Sequence, residues 1–356
     1  MKKNVDILSD ENLAWLRYAL SPQKTIPEVS DWRALFDFAD KQKIIGVCDP
    51  TKHDVKVGVR TLSLWLGMIQ QIKHRSALLN KRVGELYGLL EEAGFRCCIL
   101  KGQGNAEMYP DPFLRMPGDI DVWIDDNEQA ILQFVKERFS IVAKSYKHIK
   151  FPVFDDVPVD VHVTPLKFFC PIYHKRLQHW INKNKKEQFE HHIHLTGIEK
   201  KISVPTARFN VVYQLGHMLI HLYDEGVGLR HLVDYYYVLN SLNASDTVRE
   251  ELNKTFASLG MMRFAKAVMW IEQIVLGLPA DRCIVDTDEK HGQQLLIDIL
   301  DGGNFGQYSQ RYKGKKSFMW RGMVEAKKVL LLSYFAPCEA FFRLFHKMKT
   351  AVKHFV

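Results

Sequence analysis

A single break in periodicity sets the strongest limit on what this chain can fold into: both ends carry the repeat of helices, and the stretch between them alternates like strands. Leu13, Leu16 and Leu20 share helical spacing, and Val59 to Ala93 continues it through Leu62, Trp65, Leu66, Ile69 and Ile72 to Leu86, Leu89 and Leu90. Gly94 stands where that helix should stop. Phe95 to Leu100 is then a short apolar run ahead of Gly102, as expected for a buried strand. Residues 119–124, Asp-Ile-Asp-Val-Trp-Ile, alternate in polarity and predict a second strand. A helix is expected over 127–139, a strand over 140–146, and a hairpin from 148–154 and 157–163 around Asp155-Asp156. From Pro205 the helical period returns, with candidate helices over 206–223, 229–242, 247–259 and 261–276 and two more near the end. The pattern predicts an α+β chain in three parts: a helical region 1–94, an α/β core 95–205, and a helical region 206–356 ending in a basic tail.

The chain has 356 residues, 47% of them apolar, which suffices for two or three cored domains and argues against disorder. Its formal charge of +8 is unevenly placed: residues 311–356 hold eleven Lys/Arg and two Asp/Glu, and the remainder is nearly neutral. The basic balance therefore describes a tail and excludes a surface built throughout for nucleic acid. No apolar stretch follows the first residues, so a secretory signal is not expected. The most apolar run, 329–335, is too short to span a bilayer. The expected location is the cytoplasm, and all six cysteines, none in a C-x-x-C pair, are expected as reduced thiols.

The chemistry concentrates in the middle. Side chains at i and i+2 of a strand point the same way, so Asp119 and Asp121 present two carboxylates on one face while Ile120 and Val122 enter the core. In Val159-Asp160-Val161-His162-Val163 the same alternation puts Asp160 and His162 on one face. If the two strands are neighbours, three carboxylates converge, a layout suited to Mg²⁺ and to two-metal phosphoryl chemistry. Upstream, Lys101-Gly102-Gln103-Gly104 is a strand-to-helix glycine turn whose backbone amides can approach a phosphate, and Lys101 and Arg115 supply positive charge for a triphosphate.

These residues carry a resemblance. The run LKGQGNAEMYPDPFLRMPGDIDVWI resembles the uncharacterised bacterial nucleotidyltransferase family of the polymerase-β-like superfamily, whose members pair an LKG element with R-x-x-x-D-I-D and follow it with a D-x-H strand, here Asp160-Val161-His162. HMLIHLYDEGVGLRHLVD is similar to that family's helical segment. The resemblance spans roughly residues 95–240. It implies a small mixed sheet with flanking helices, Mg²⁺ (or Mn²⁺) held by Asp119, Asp121 and Asp160, and a nucleoside triphosphate donor. The acceptor, whether small molecule, protein or RNA, is not implied. Gln103 departs from the small second residue usual in the superfamily's phosphate turn.

His217 and His221 lie four apart on one helix face, as do Arg230 and Asp234. Zinc is one reading of the histidine pair, but the absence of a third ligand in the pattern favours a polar face toward the catalytic unit. With His162, these four are the expected wall of a cleft. His191, His192 and His194 read as surface residues of a strand. In the tail, Phe341, Phe345, Met348 and Val352 share a face opposite Arg343, Lys347 and Lys353, and packing on the protein's own helices is favoured over membrane or RNA contact. Nucleotide transfer to an unidentified acceptor is the leading expectation. A degenerate nucleotidyltransferase binding nucleotide or protein, as in a toxin–antitoxin pair, is an alternative. A metal-dependent glycosyltransferase is disfavoured by the helical residues 1–94.

Overall fold

A computed structural model describes residues 9–21, 25–139, 148–309 and 318–353. The chain runs through α1 (Glu11–Leu20), α2 (Trp32–Gln42), the 34-residue α3 (Val59–Glu92), β1 (Cys97–Leu100), α4 (Gly102–Ala106), β2 (Ile120–Ile124), α5 (Glu128–Arg138), β3 (Ile149–Lys150) and β4 (Val159–His162). It continues through α6 (Pro171–Glu190), β5 (His192–His194), β6 (Lys201–Ser203), α7 (Ala207–Asp224), α8 (Leu229–Ser241), α9 (Asp246–Ser258), α10 (Met262–Trp270), α11 (Glu289–Gly302), α12 (Phe318–Leu331) and α13 (Pro337–Lys353). The fold is α+β: a small mixed sheet within a mainly helical chain. The strand expected over 140–146 lies outside the described residues.

Two compact units emerge, each assembled from separate stretches: one from residues 45–167 and 180–213, the other from 1–44, 168–179 and 214–356.

The first unit holds the sheet, in the order β1-β2-β4-β3. β2 pairs antiparallel with β1 and parallel with β4, and β3 closes the edge antiparallel to β4 as the predicted hairpin. Every residue of β1, β2 and β4 is buried, including Asp121, Asp160 and His162; only β1 is a continuous apolar run. One core joins Ile99, Val122 and Val161 to Leu79, Val83, Leu86 and Leu90 of α3 and to Ile131 and Val135 of α5. Gly94, at φ +83°, ends α3 as its spacing predicts. α6 is not evident from periodicity, because its Lys, His, Gln and Asn content hides a sparse buried stripe, Leu177, Ile181 and Phe189. Phe189 packs on Trp123 with ring centroids 4.8 Å apart.

The second unit is helical and held by polar pins as well as apolar contact. Gln42, fully buried, donates to the Ile299 carbonyl at 3.2 Å and accepts from Leu229 N at 3.0 Å, tying α2 to α11 and α8. Cys170 and Cys338 form a disulfide across 168 residues, contrary to the expectation that all six cysteines are thiols. Sequence spacing shows nothing of that pairing, because only the fold brings the two Cα atoms to 5.8 Å. Cys48, Cys97, Cys98 and Cys283 form no disulfide. Beside the bridge, Glu339 accepts from Phe169 N at 3.0 Å and Cys170 N at 2.9 Å, a carboxylate at the start of α6 where orphan amides need one. Glu339 also accepts from Arg343 Nε at 3.1 Å, and Arg343 reaches Asp224.

That network reverses the face expected of α13. Arg343 and Glu339 are each 1% exposed, whereas Phe341 is 65% and Phe345 49% exposed. The two phenylalanines of the stripe are thus exposed while the ion network lies on the inward side. Met348, Val352 and Lys353 have side chains outside the described set.

Candidate carboxylate site

Strand register builds the site. Asp121 of β2 stands directly opposite Asp160 of β4, and Leu100 and Lys150 complete the row on the outer strands. Asp119 sits two residues before Asp121, so the alternation of β2 carries it to the same face. Oxygens of Asp119, Asp121 and Asp160 all lie within 4.8 Å of one another, the sole group of this kind among the described residues. Asp119 is exposed, Asp121 9% exposed and Asp160 4% exposed, so the cluster runs from solvent inward.

Cationic groups surround these acids. Lys101 Nζ lies 2.9 Å from Asp121 Oδ2, and His162 Nε2 donates to Asp121 Oδ1 at 2.7 Å. Lys150 Nζ lies 2.7 Å from Asp160 Oδ1, and His148 Nε2 is 3.3 Å from Asp160 Oδ2. Burial alone would raise the Asp121 carboxyl, but Lys101 and His162 overcome it and hold the group far below the usual carboxylate range. Asp119 moves the other way: the neighbouring Asp121 charge raises it, with burial and Asp160 adding to the effect and Lys101 opposing it. Burial likewise works against the charge of Lys101, and Asp121 restores it, with Tyr213 and Asp119 contributing. For His148, burial lowers the ring's basicity, with Asp160 opposing and His162 and Lys150 reinforcing.

The turn between β1 and α4 places Lys101. Lys101 adopts φ 49°, ψ −135° and Gly102 φ +41°, consecutive residues in a region L side chains rarely occupy. A backbone held there costs of order 1–3 kcal/mol and persists where surrounding structure enforces it. A Cβ on Gly102 would stand 3.7 Å from the Asp119 backbone carbonyl, so the turn runs alongside the main chain at the start of β2. A Cβ on Gly104 would meet Val204 Cγ1 at 3.0 Å, which accounts for that glycine by packing. Gln103 is 4% exposed and turns into the protein, its amide donating to Asn80 Oδ1 and lying 3.5 Å from the Ser76 carbonyl. Arg115 is 5% exposed, with Nη1 3.4 Å from the Met116 carbonyl.

His217, His221, Arg230 and Asp234 belong to the helical unit. There His217 and His221 bring their Nε2 atoms to 3.1 Å, and His221 Nδ1 is 3.0 Å from Glu225 Oε2. Phe305 lies against His221 and His231 with centroids 5.3 and 5.0 Å away. Asp234 is buried and Arg230 half-buried. Sequence reasoning missed His148, Lys150 and Tyr213 around the acids and Glu225, His231 and Phe305 around the histidines. Lys150 had a usable signal, since the predicted hairpin sets it near Asp160. Tyr213 had none.

Three oxygens this close, two of them nearly buried and one carboxyl raised by its neighbour, suit a hard divalent cation such as Mg²⁺ or Mn²⁺, which prefers carboxylate ligands. A mixed sheet brings the three acids together from two adjacent parallel strands and the residue just before one of them, beside a strained glycine turn. The chain belongs to the family described as uncharacterised nucleotidyltransferase, which it matches over residues 28–277. No curated protein matches it. Among solved structures it is similar to an antigenic nucleotidyltransferase-like protein from Paracoccidioides brasiliensis, at 12% identity and a TM-score of 0.30, over 53% of this chain and 88% of that one. That likeness is too remote to bear on the site.

Proposed function

We propose that this chain moves a nucleoside monophosphate from a nucleoside triphosphate to an acceptor hydroxyl or phosphate, with Mg²⁺ or Mn²⁺ held by Asp119, Asp121 and Asp160. The observation that carries this reading is the in-register pairing of Asp121 with Asp160 on parallel strands, with Asp119 completing a cluster within 4.8 Å. A bound dication supplies charge neutralisation for the carboxylates and for the nucleotide phosphates.

The chain's own groups divide the remaining work. Lys101, held at the site by its strained turn, meets phosphate charge together with Arg115, and the Gly102-Gln103-Gly104 backbone lines the same turn. His162 donates to Asp121 and so fixes which carboxylate oxygen faces the cluster. Asp160 accepts the acceptor's proton as the acceptor oxygen bonds to the α-phosphorus and pyrophosphate leaves with the electrons of the broken P–O bond. His148 and Lys150 orient Asp160.

The test is incubation of the protein with α-labelled nucleoside triphosphates, Mg²⁺ and fractionated cell lysate, followed by a search for a labelled product. A product whose formation stops with chelator, in Asp119→Asn/Asp121→Asn and in Asp160→Asn is expected. Calorimetry showing nucleotide affinity unchanged by chelator in the native protein would overturn the proposal, as would transfer of a sugar in place of a nucleotide.

A further inference from the structure

We propose that α13, with the end of α12, docks the protein onto an anionic lipid surface. The helix is inverted relative to an ordinary surface helix. Its inward side carries Glu339 and Arg343, and its outward side carries Phe341 and Phe345 at i, i+4. Large aromatic rings exposed in pairs on one helix face are unusual on a protein bathed only in water. The inversion is locked. Turning the phenylalanines inward would break the Arg343–Glu339 and Arg343–Asp224 pairs and strip the Phe169 and Cys170 amides of their acceptor. The Cys170–Cys338 bridge holds the first turn of α13 in the same register.

α12 repeats the pattern. Met323, Leu330 and Leu331 are 62%, 61% and 65% exposed, and Lys327 shares their i, i+4, i+7, i+8 stripe. No helix of the described residues is long and apolar enough to cross a membrane, so contact would be at the surface.

Charge selects the occupant. Residues 318–353 hold two acids, Glu325 and Glu339, and Glu339 is buried in its ion pair. Lys327 and Lys347 flank the exposed apolar residues, and Lys349 and Lys353 follow in the sequence. Apolar side chains interleaved with cations complement acidic headgroups above acyl chains. A protein groove lined by apolar groups would use the phenylalanines but leave the cations unmatched. A nucleic acid would use the cations but leave the phenylalanines without a hydrophobic partner.

The full-length protein should co-sediment with vesicles of phosphatidylcholine mixed with phosphatidylglycerol, and bind phosphatidylcholine alone far more weakly. Phe341→Ser/Phe345→Ser, exposed positions that leave the ion network intact, should weaken partitioning about tenfold with an unchanged melting temperature. Lys347→Glu/Lys349→Glu should remove most of the salt-sensitive part of binding. Equal binding to both vesicle types overturns the proposal, as does binding that the phenylalanine substitutions leave unchanged. So does a dimer in light scattering that those substitutions dissociate, which would assign the face to a second copy. So does tight RNA binding that is indifferent to them. None of these readouts depends on nucleotide transfer.

Discussion

At the scale of single residues, the neighbouring acids Asp119 and Asp121 have opposite electrostatic standing, and that separates two effects of removing them. Asp121 is paired with Lys101 and His162, whereas Asp119 is exposed and raised by the Asp121 charge. Without metal, Asp121→Asn leaves Lys101 without its principal counter-charge, and the folded state should lose about 3 kcal/mol, the low end for a broken buried pair because both groups keep some solvent contact. Asp119→Asn relieves like-charge repulsion and should melt no earlier than the parent. Both should abolish the stabilisation that Mg²⁺ with nucleotide gives the parent. Thermal melts with and without Mg²⁺ and nucleotide check the pair. An Asp119→Asn protein that melts early in the absence of metal would contradict the assignment of charge.

At the scale of elements, the short helix α4 depends on one buried side chain. Gln103 reaches Asn80 on α3, Asn80 donates to the Thr196 carbonyl at 2.7 Å, and Ser76 Oγ donates to the Arg115 carbonyl at 3.4 Å. This polar seam ties the glycine turn and the segment before β2 to the long helix. The residue that breaks the superfamily's small-residue pattern thus has a structural occupation in this chain. Gln103→Ser should cost about 1–3 kcal/mol, the range for leaving a buried partner unsatisfied. Nucleotide affinity measured well below the melting temperature should change little, since the amide points away from the carboxylates' turn. A Gln103→Ser protein of unaltered stability with lost nucleotide binding would put Gln103 in the site.

At the scale of the whole molecule, Glu272 and His231 of the helical unit set opposing pH slopes. Glu272 is fully buried without a partner among the described residues, and burial raises its carboxyl well above 4.5. The fold therefore keeps its proton while the unfolded chain releases it, and stability falls as pH rises above about 4.5. His231 is lowered to about 3 by burial, then by His221 and Arg230, with Asp234 opposing. A depressed histidine stays neutral in the fold while the unfolded chain gains a proton, so its contribution falls as pH drops below about 6.5. Glu272→Gln should raise stability above neutral pH and remove a slope of at most about 1.4 kcal/mol per pH unit. Denaturation midpoints across pH 5–9 test this, and an unchanged slope in the variant would show that Glu272 has a partner in the fold.

The alternation of Asp119, Asp121, Asp160 and His162 determined by itself which side chains share a face, because the pleat has a period of two and requires no partner to be known. The helical period likewise placed α3 and α7 to α9 close to their observed ends. Register between strands was a different matter. That Asp121 faces Asp160 depends on two segments some forty residues apart finding one another, which local pattern does not encode. Tyr213 entered the site for the same reason. The helix α6 was hidden by its polar composition, since its stripe becomes visible only once Trp123 and its neighbours supply something to pack against. Most plainly, the face of α13 was decided in three dimensions. Hydrophobic spacing alone turns Phe341 and Phe345 inward, whereas in the fold Arg343 is buried in ion pairs with Glu339 and Asp224, beside a disulfide to Cys170, and the two rings face out.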